Sequence, residues 1–382
     1  MTALHVVVIG AGTLGMNTAA LLVEGGARVT VLDAGAIAGA SSGRSCGVVG
    51  TQFTDPTDIA LRRETMRHFR RWRDLGLRFN PIGYLRLART DEQMQLFADT
   101  APMRADAGVV SRLCDRGEIS RLVPHMDTTG LAGAAFGPED GFIDPPELCS
   151  LLAGLVRDAG GAVRQFTRVQ GIDRTPAGWR VVTDKGVIDC DRVVNATGAW
   201  AGQIAALAGQ TIPIRPERHE AVMIHHDPLP YTMPMVMDLV NGQGTGLNFR
   251  HEKPGELLAE IHRADLRPTD PDGYNQECEE SSKVYLTELM MDRIPDLPGA
   301  RMGRGWAGLY PVTPDGRPLI GPAVTSEPGF ITAAGAGGYG IQLAPVIGRI
   351  AATWVLTGGP GDLGADLTPA RDFSAKDLAA AH

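Results

Sequence analysis

Cysteine is scarce in this sequence and is widely spread. The 382 residues contain five cysteines, and no two of them form a CxxC pair. This spacing excludes a disulfide-rich scaffold and a cysteine-type zinc site. We therefore expect reduced thiols in a cytoplasmic protein. No metal site is expected either, because the histidines lack an HxH or HExxH motif. Those of the middle region are His219, His225, His226, His251 and His262.

Positive charge is also in deficit. Lys and Arg together number 36 against 44 Asp and Glu, which gives a formal net charge of -8. A protein that binds nucleic acid needs a concentrated basic face, whereas these basic residues are dispersed. The dense basic run RHFRRWR, at 67–73, is typical of the solvated side of an amphipathic helix. The composition therefore argues against a nucleic-acid partner.

Long hydrophobic runs are few. The apolar run at the N-terminus has no basic region before it and is needed as the first strand, so no signal peptide is expected. The run 330–356 is long enough for a membrane span, but it contains the glycines of GAGGYG together with Gln342 and Arg349. A loop followed by a buried helix fits these residues better. With 43% hydrophobic residues over this length, we expect two domains.

The most informative feature that is present is a βαβ unit for binding a dinucleotide. Strand-like VVVI runs into GAGTLG, a helix follows, and a second apolar run ends at Asp33. The glycines allow a tight turn and close approach to a pyrophosphate, while the helix N-terminus favours an anion. Asp33 stands where a carboxylate would bind a ribose hydroxyl. The residues expected at the nucleotide are Gly10, Gly12, Thr13, Leu14, Gly15, Asp33 and Ala34.

The rest of the chain alternates helices, strands and turns, with no internal repeat. Helices are expected at 16–23, 58–75 and 146–160, with a polar helical region at 91–123. A strand is expected at 82–89, and 192–200 is expected to be a strand that runs into a Gly turn. A hairpin is expected at 180–189, with its turn about Lys185 and Gly186. The stretch 212–304 is strand-like, and 314–318 is a turn between strands.

Six segments carry a resemblance to a known family, in the family's order: VVVIGAGTLG, SSGRSCGVVG, GFIDP, VVNATGAWA, GLYPVTPDGRPLIG and ITAAGAGGYGIQLAP. Together they reach across nearly the whole chain. The sequence resembles the D-amino-acid oxidase (DAO) family of FAD-dependent oxidoreductases, in the branch of sarcosine oxidase β subunits, proline dehydrogenases and glycine oxidase.

The resemblance implies an α/β fold with two domains. A Rossmann-like, doubly wound FAD-binding domain would carry an inserted α+β substrate domain built on a mixed β-sheet. The expected boundaries are 1–50, 141–211 and 305–365 for the FAD-binding domain, 51–140 and 212–304 for the substrate domain, and 366–382 for a C-terminal tail.

The resemblance further implies FAD, held noncovalently because SSGRSCGVV contains no His and no Cys follows residue 278. Hydroxyls and a guanidinium of this loop would hold the diphosphate or the ring edge. GAGGYG would offer backbone N–H groups at a helix start to the negative charge of a reduced flavin. The residues implied at the cofactor are Ser41, Ser42, Arg44, Ser45, Val169, Ala196, Thr197, Gly198, Trp200, Gly308, Gly337, Gly338, Tyr339, Gly340, Ile341 and Gln342.

The implied activity is oxidation of an amine or amino acid, secondary or N-substituted, by hydride transfer from the carbon next to nitrogen to the flavin. The imine that results can hydrolyse. Relatives that oxidise α-amino acids often carry an arginine before the proline of the GLxP segment, where this chain has Tyr310. Arg250 is the expected substitute anion binder. The other candidates for the active site are Cys46, Tyr339, His219 and His251.

Two alternatives remain open on the sequence. One is an FAD-dependent dehydrogenase of a 2-hydroxy acid, which needs a base for the hydroxyl proton. The other is an FAD-binding subunit that works only with partner chains. An NAD-dependent dehydrogenase would leave SSGR and GAGGYG without a role. Oxygen and another electron carrier are both open as the final electron acceptor.

Overall fold

The structure, a computed structural model, describes residues 3–239, 246–263, 266–324 and 329–373. Its helices are α1 Thr13–Glu24, α2 Pro56–Asp74, α3 Asp91–Asp99, α4 Ala101–Asp106, α5 Arg116–Leu122, α6 Pro145–Asp158, α7 Ala201–Leu207, α8 Glu280–Arg293 and α9 Gly340–Thr357. Its strands are β1 His5–Ile9, β2 Arg28–Leu32, β3 Val48–Val49, β4 Phe79–Asn80, β5 Tyr84–Ala88, β6 Arg112–Cys114, β7 Gly133–Gly137, β8 Gly141–Ile143, β9 Ala162–Arg164, β10 Val169–Thr175, β11 Gly178–Thr183, β12 Gly186–Cys190, β13 Arg192–Asn195, β14 Arg215–His225, β15 Met235–Leu239, β16 Gly246–Lys253, β17 Glu256–His262, β18 Arg301–Val312, β19 Leu319–Gly321 and β20 Phe330–Ala334.

The first sheet contains the dinucleotide-binding motif. Its strand order is β19-β20-β13-β1-β2-β9, and all pairs are parallel except β19 with β20. Alternate residues of β1 point to opposite faces. Val6 and Val8 pack on the side of α1, α6 and α9, whereas Val7 and Ile9 pack against the antiparallel β10-β11-β12 sheet. Both faces of the parallel sheet are therefore covered.

The second sheet has the order β18-β14-β17-β16-β15-β5-β7-β6. One face contributes Val222, Phe249 and Leu257 to an apolar core that also takes Leu286 and Met290 from α8. The other face carries the alternate residues of the same strands and is directed toward the first sheet. A short β3-β8-β4 sheet forms a third layer. This arrangement is a mixed α/β fold, as the sequence predicted.

The second sheet does not follow the expected segment boundaries in full. Strand β18 pairs with β14 along nearly its whole length, so 305–312 belong to this sheet rather than to the nucleotide-binding one. The strand-like stretch 212–304 also contains a helix, α8, which that interpretation missed. The buried residues of α8 are Ser282, Leu286, Met290 and Arg293, a helical spacing that forms one narrow stripe. Part of the expected tail, 374–382, lies outside the described residues.

Other expected elements agree with the structure within a few residues. Helix α2 begins after Asp55, whose side chain accepts a hydrogen bond from the Asp58 backbone N–H. The polar region 91–123 holds α3, α4 and α5, but also the short strand β6. The hairpin β11-β12 pairs Thr183 with Gly186, so its turn lies one residue earlier than expected.

Helix α9 is a core helix. Residues Gly337–Thr357 are the one helical segment of the described chain that is long and apolar enough to cross a membrane, with a mean hydropathy of 1.2. However, 67% of its apolar window is buried, and the helix packs on α1 and α2. The structure thus agrees with the expectation of a buried helix for 330–356.

Candidate active site

A cavity of about 710 Å³ lies where the carboxyl ends of β1, β2 and β13 meet the open face of the second sheet. Such a position, at the strand ends of an open α/β sheet, is where ligands bind. Its lining includes every residue that the sequence analysis assigned to the cofactor except Gly15, together with Cys46, His219, Tyr310 and Tyr339. Arg250 and His251 do not line it.

The glycine motif forms the floor of one end. Gly10 has φ +105, and a Cβ there would lie 2.5 Å from the Ala196 carbonyl oxygen. A Cβ on Gly12 would lie 2.9 Å from the Ser42 hydroxyl oxygen, and Thr13 N donates to that oxygen over 3.0 Å. The motif and the loop after β2 are therefore in direct contact. Gly15 lies behind the motif, where it lets α1 pack against the first turn.

Asp33 is held rigidly at the end of β2. One carboxylate oxygen accepts from Ala11 N over 2.7 Å, and the other accepts from Gly35 N over 2.7 Å. These bonds fix the carboxylate between two turns and leave lone pairs for a donor in the cavity. A ribose hydroxyl is a donor of this kind.

The loop after β2 is joined to a segment that follows β17 in the chain. Arg44 donates to the Tyr274 hydroxyl over 2.7 Å and to the Gln276 side-chain oxygen over 2.6 Å. Trp200 Nε1 and Gln203 donate to Asp272. The segment 272–276 thus closes the edge of the cavity, a role that the sequence analysis did not detect.

The GAGGYG loop forms the opposite wall. Gly337 has φ +51, and α9 starts three residues later without a side chain of the described residues capping its first turn. The free backbone N–H groups of that turn suit an electron-rich ring edge. A Cβ on Gly338 would lie 2.5 Å from the Tyr310 ring, so the loop touches the second sheet directly. Tyr339 packs edge-on against Phe53 at a centroid distance of 5.5 Å.

The second sheet supplies a cluster around Glu260 on β17. Its carboxylate accepts from Cys46 Sγ over 3.3 Å, from the Asn248 amide over 3.0 Å and from the Tyr310 hydroxyl over 3.4 Å. His262 Nε2 lies 3.7 Å away. Burial would raise the pKa of Glu260, but the bonds from His262, Asn248 and Cys46 outweigh it and hold the pKa at about 2.

Cys46, Tyr310 and His219 stay neutral in this cluster. Burial, aided by the Glu260 charge, raises the pKa of the Cys46 thiol and of the Tyr310 hydroxyl well above their usual ranges. Burial lowers the pKa of His219, whose ring stacks on Tyr310 at 3.7 Å between centroids. His219 Nε2 is buried and lacks a hydrogen-bond partner among the described residues. This imidazole lines the cavity and supports the Tyr310 ring.

Two sequence-predicted residues are placed elsewhere, and their roles need correction. Arg250 is buried: it donates to the Cys46 carbonyl over 2.7 Å, pairs with Glu252 and stacks on the Phe142 ring. Its guanidinium is thus directed away from a substrate anion. His251 is the next residue on β16, so it points to the opposite face, where its Nδ1 accepts from Met233 N over 2.7 Å.

Several cavity residues were missed. They come from the second sheet and share one face: Tyr84, Met235, Met237, Asn248, Glu260, His262 and Trp306. The alternation of side chains along each strand could have indicated these residues. Once β14, β16 and β17 are paired, Ala221, Asn248 and Glu260 fall opposite one another. The sequence analysis counted His262 only as a scattered histidine.

The cavity fits FAD. It offers backbone N–H groups at the first turns of α1 and α9, a fixed carboxylate at Asp33, and glycines whose added Cβ would meet a neighbouring residue. These are the groups that hold a dinucleotide and the edge of a flavin.

Comparison with known proteins agrees with this fit. L-proline dehydrogenase from P. horikoshii has a similar structure, with a TM-score of 0.87 and 28% identity over 97% of each chain. Glycine oxidase from Geobacillus kaustophilus is 24% identical over 92% of each sequence. 4-Methylaminobutanoate oxidase (formaldehyde-forming) from Paenarthrobacter nicotinovorans is 28% identical over 94% of this chain but 44% of its own length. A family model described as FAD dependent oxidoreductase (DAO) matches residues 5–354. The chain therefore belongs to the DAO family of FAD-dependent oxidoreductases, and FAD is its cofactor.

Proposed function

We propose that this enzyme oxidises a secondary or N-substituted amine at the carbon next to nitrogen. One observation carries the proposal: the described residues by which the second sheet lines the cavity include no Arg or Lys. An α-amino acid clamped by an arginine does not suit this wall, because a carboxylate needs a cationic donor when it leaves water. Thioether and aromatic side chains, Met235, Met237 and Tyr84, offer contact to an alkyl substituent instead.

Two relatives support a secondary amine as the reacting group. 4-Methylaminobutanoate and L-proline, which appear in the names of relatives at 28% identity, both contain a secondary amine. The two molecules also carry a carboxylate, and this chain lacks an arginine at the Tyr310 position that would bind one. We therefore propose that the substrate of this enzyme contains a secondary amine, as 4-methylaminobutanoate and L-proline do, but lacks their carboxylate.

The residues of the chain act mainly by position. Bound FAD supplies an acceptor for the hydride and its two electrons. Gly12, Thr13 and the first turn of α9 hold the anionic parts of the cofactor through backbone N–H groups. Tyr310, fixed by the His219 ring, forms the substrate wall. The segment 272–276 limits access of water at one edge.

Glu260 does not take the amine proton. Glu260, with a pKa of about 2, is a very weak base. The amine therefore reacts in its neutral form, and loss of hydride leaves an iminium ion. That ion takes up water to give a carbonyl compound and the protonated, shortened amine. This chemistry needs positioning rather than a nucleophile.

The test is anaerobic bleaching of the flavin absorbance by a panel of secondary amines, D- and L-amino acids and 2-hydroxy acids. Bleaching by secondary amines supports the proposal, and bleaching by arginine-clamped α-amino acids alone contradicts it. A 2-hydroxy acid that bleaches the flavin would require a base. His262 beside Glu260 is the residue placed for that role, so loss of that bleaching in His262→Gln would establish the alternative.

The electron acceptor, partners and location are part of the same proposal. We place the enzyme in the cytoplasm, since the five cysteines, all within the described residues, are free. Turnover by the lone chain with oxygen would exclude an obligate partner. Turnover only with an artificial acceptor would indicate a separate electron carrier.

A further inference from the structure

We infer that Glu260 binds a cationic group of the substrate that is separate from the nitrogen being oxidised. The substrate class is then an amine with a second, permanently or readily protonated nitrogen, such as a diamine. This inference rests on the proposed amine oxidation, and it adds the charge of the part of the substrate that does not react.

Glu260 is an anion placed on the cavity wall without a full counter-charge. Its side chain is 17% exposed, and that surface opens into the cavity. Its described contacts are a thiol, an amide, a phenol and one imidazole. Other carboxylates buried to a similar degree either pair with arginine, as Asp238 does with Arg89 and Arg293, or have a raised pKa, as Asp140 does at about 7.

The nearby guanidinium of Arg250 does not neutralise Glu260. It is committed to the Cys46 carbonyl, the His251 carbonyl and Glu252. A buried, ionised carboxylate without an arginine or lysine partner lowers the stability of the protein unless a cationic ligand pairs with it. A substrate cation would do so, because its attraction to Glu260 is strong where water is excluded.

The reacting nitrogen is a poor partner for Glu260. An amine must be neutral to release hydride, whereas a nearby carboxylate favours the protonated form. Because the pKa of Glu260 is held low, it also cannot take that proton away. A second cation on the substrate meets neither difficulty, since it stays charged throughout the reaction.

The side chains beside Glu260 suit the rest of such a substrate. Met235 and Met237 present thioethers, and the Tyr84 hydroxyl donates to the Met237 sulfur over 3.1 Å. Together with the Tyr310 ring they provide an apolar surface for a methylene chain and aromatic faces for a cation. A carboxylate at the same position would be repelled by Glu260.

The first experiment uses the wild-type holoenzyme and three compounds of one chain length. N-Methylputrescine ends in an ammonium, N-methylpentylamine in a methyl group and ω-methylaminopentanoate in a carboxylate. Anaerobic flavin reduction at increasing concentration gives an apparent Kd for each. We expect N-methylputrescine to bind at least about tenfold more tightly than N-methylpentylamine, and the carboxylate to bind most weakly. Preference for either of the other two compounds would overturn the inference.

The second experiment compares Glu260→Gln with Glu256→Gln. Both changes neutralise a carboxylate of β17, but Glu256 lies outside the cavity and contacts Lys253. In Glu260→Gln the apparent Kd of N-methylputrescine should rise about 10- to 100-fold, while that of N-methylpentylamine stays within about twofold. Glu256→Gln should leave both values unchanged. An equal loss for both compounds in Glu260→Gln, with normal flavin content, would assign Glu260 a structural role.

The outcomes separate this inference from the proposed function. If N-methylpentylamine reduces the flavin and N-methylputrescine does not, amine oxidation stands and the cation site fails. If no amine reduces the flavin and a 2-hydroxy acid does, the proposed function itself fails. Should Glu260→Gln not fold, the wild-type comparison of the three compounds decides alone.

Discussion

Gly15→Ala offers a direct test of how the glycine motif holds the cofactor. A Cβ at Gly15 would lie 1.9 Å from the Gly10 carbonyl oxygen and 3.3 Å from Ala196 Cβ. Real contacts of this type stay above 3.0 Å, so the turn between β1 and α1 must open by about 1 Å. The obstacle is backbone, which cannot rotate away as a side chain would.

Two opposing effects determine how much Gly15→Ala changes the free energy of unfolding. Replacing glycine by alanine inside a helix favours folding by about 1 kcal/mol. Overpacking a rigid site costs about 1–3 kcal/mol or more, and a backbone clash belongs at the upper end. We therefore expect a net loss of about 1–2 kcal/mol in unfolding free energy. Flavin content should fall as well, because the N–H groups of α1 move away from the pyrophosphate.

Gly154→Ala is the matched control. Gly154 is also inside a helix, α6, but an added Cβ there would meet nothing within 4 Å. The substitution Gly154→Ala should stabilise the protein by about 0.5–1 kcal/mol and leave the flavin content unchanged. The assay is urea unfolding of both apoproteins together with the ratio of flavin to protein absorbance after purification. If Gly15→Ala kept full flavin and unfolded no earlier than wild type, close helix packing would not explain this glycine.

Three further predictions concern other parts of the cavity and its support. Gly338→Ala should lower turnover about tenfold or more with flavin retained, measured by anaerobic reduction rate, because its Cβ would lie 2.5 Å from the ring of Tyr310. Burial raises the pKa of Asp140 to about 7 although Thr51 and Gln52 donate to it. The folded state therefore favours the protonated form, so wild type should lose stability relative to Asp140→Asn as pH rises from about 4 to 7. Urea unfolding at pH values on either side of this window measures the difference in unfolding free energy between the two proteins. If that difference did not change with pH, the prediction would be wrong. Finally, acid precipitation should release the yellow colour to the supernatant, whereas colour in the pellet would show a covalent link.

The nucleotide end of the site could be predicted from local sequence because its chemistry is backbone chemistry. Glycines at fixed spacing after an apolar strand specify the turn, the helix start and the approach to the phosphates together. The same holds for GAGGYG before α9. Their placement on one cavity follows from strand order, because β1, β13 and β20 are adjacent in the first sheet and their carboxyl ends share an edge.

The substrate end could not be predicted in this way because it depends on pairings between distant segments. Arg250 lies on the same face of β16 as the cavity residue Asn248, yet its guanidinium donates hydrogen bonds to the Cys46 carbonyl oxygen. Only the tertiary contact of residues about two hundred positions apart determines that outcome. Helix α8 was missed for a related reason: its apolar stripe is narrow, and the surrounding sequence is rich in strand signals.

The sequence of β17 does not show which of its residues face the cavity. Leu257, Ala259 and Ile261 pack in the core with α8, while Leu258 and Glu260 face the other way. Because Leu257, Leu258 and Ala259 are all apolar, the strand lacks the alternation that would mark its two faces. Pairing with β14 and β16 fixes the register, and a shift by one residue would bury the Glu260 carboxylate in the core at a large cost. The need to keep that charge out of the core therefore helps to specify the register, and the same register places the charge in the cavity.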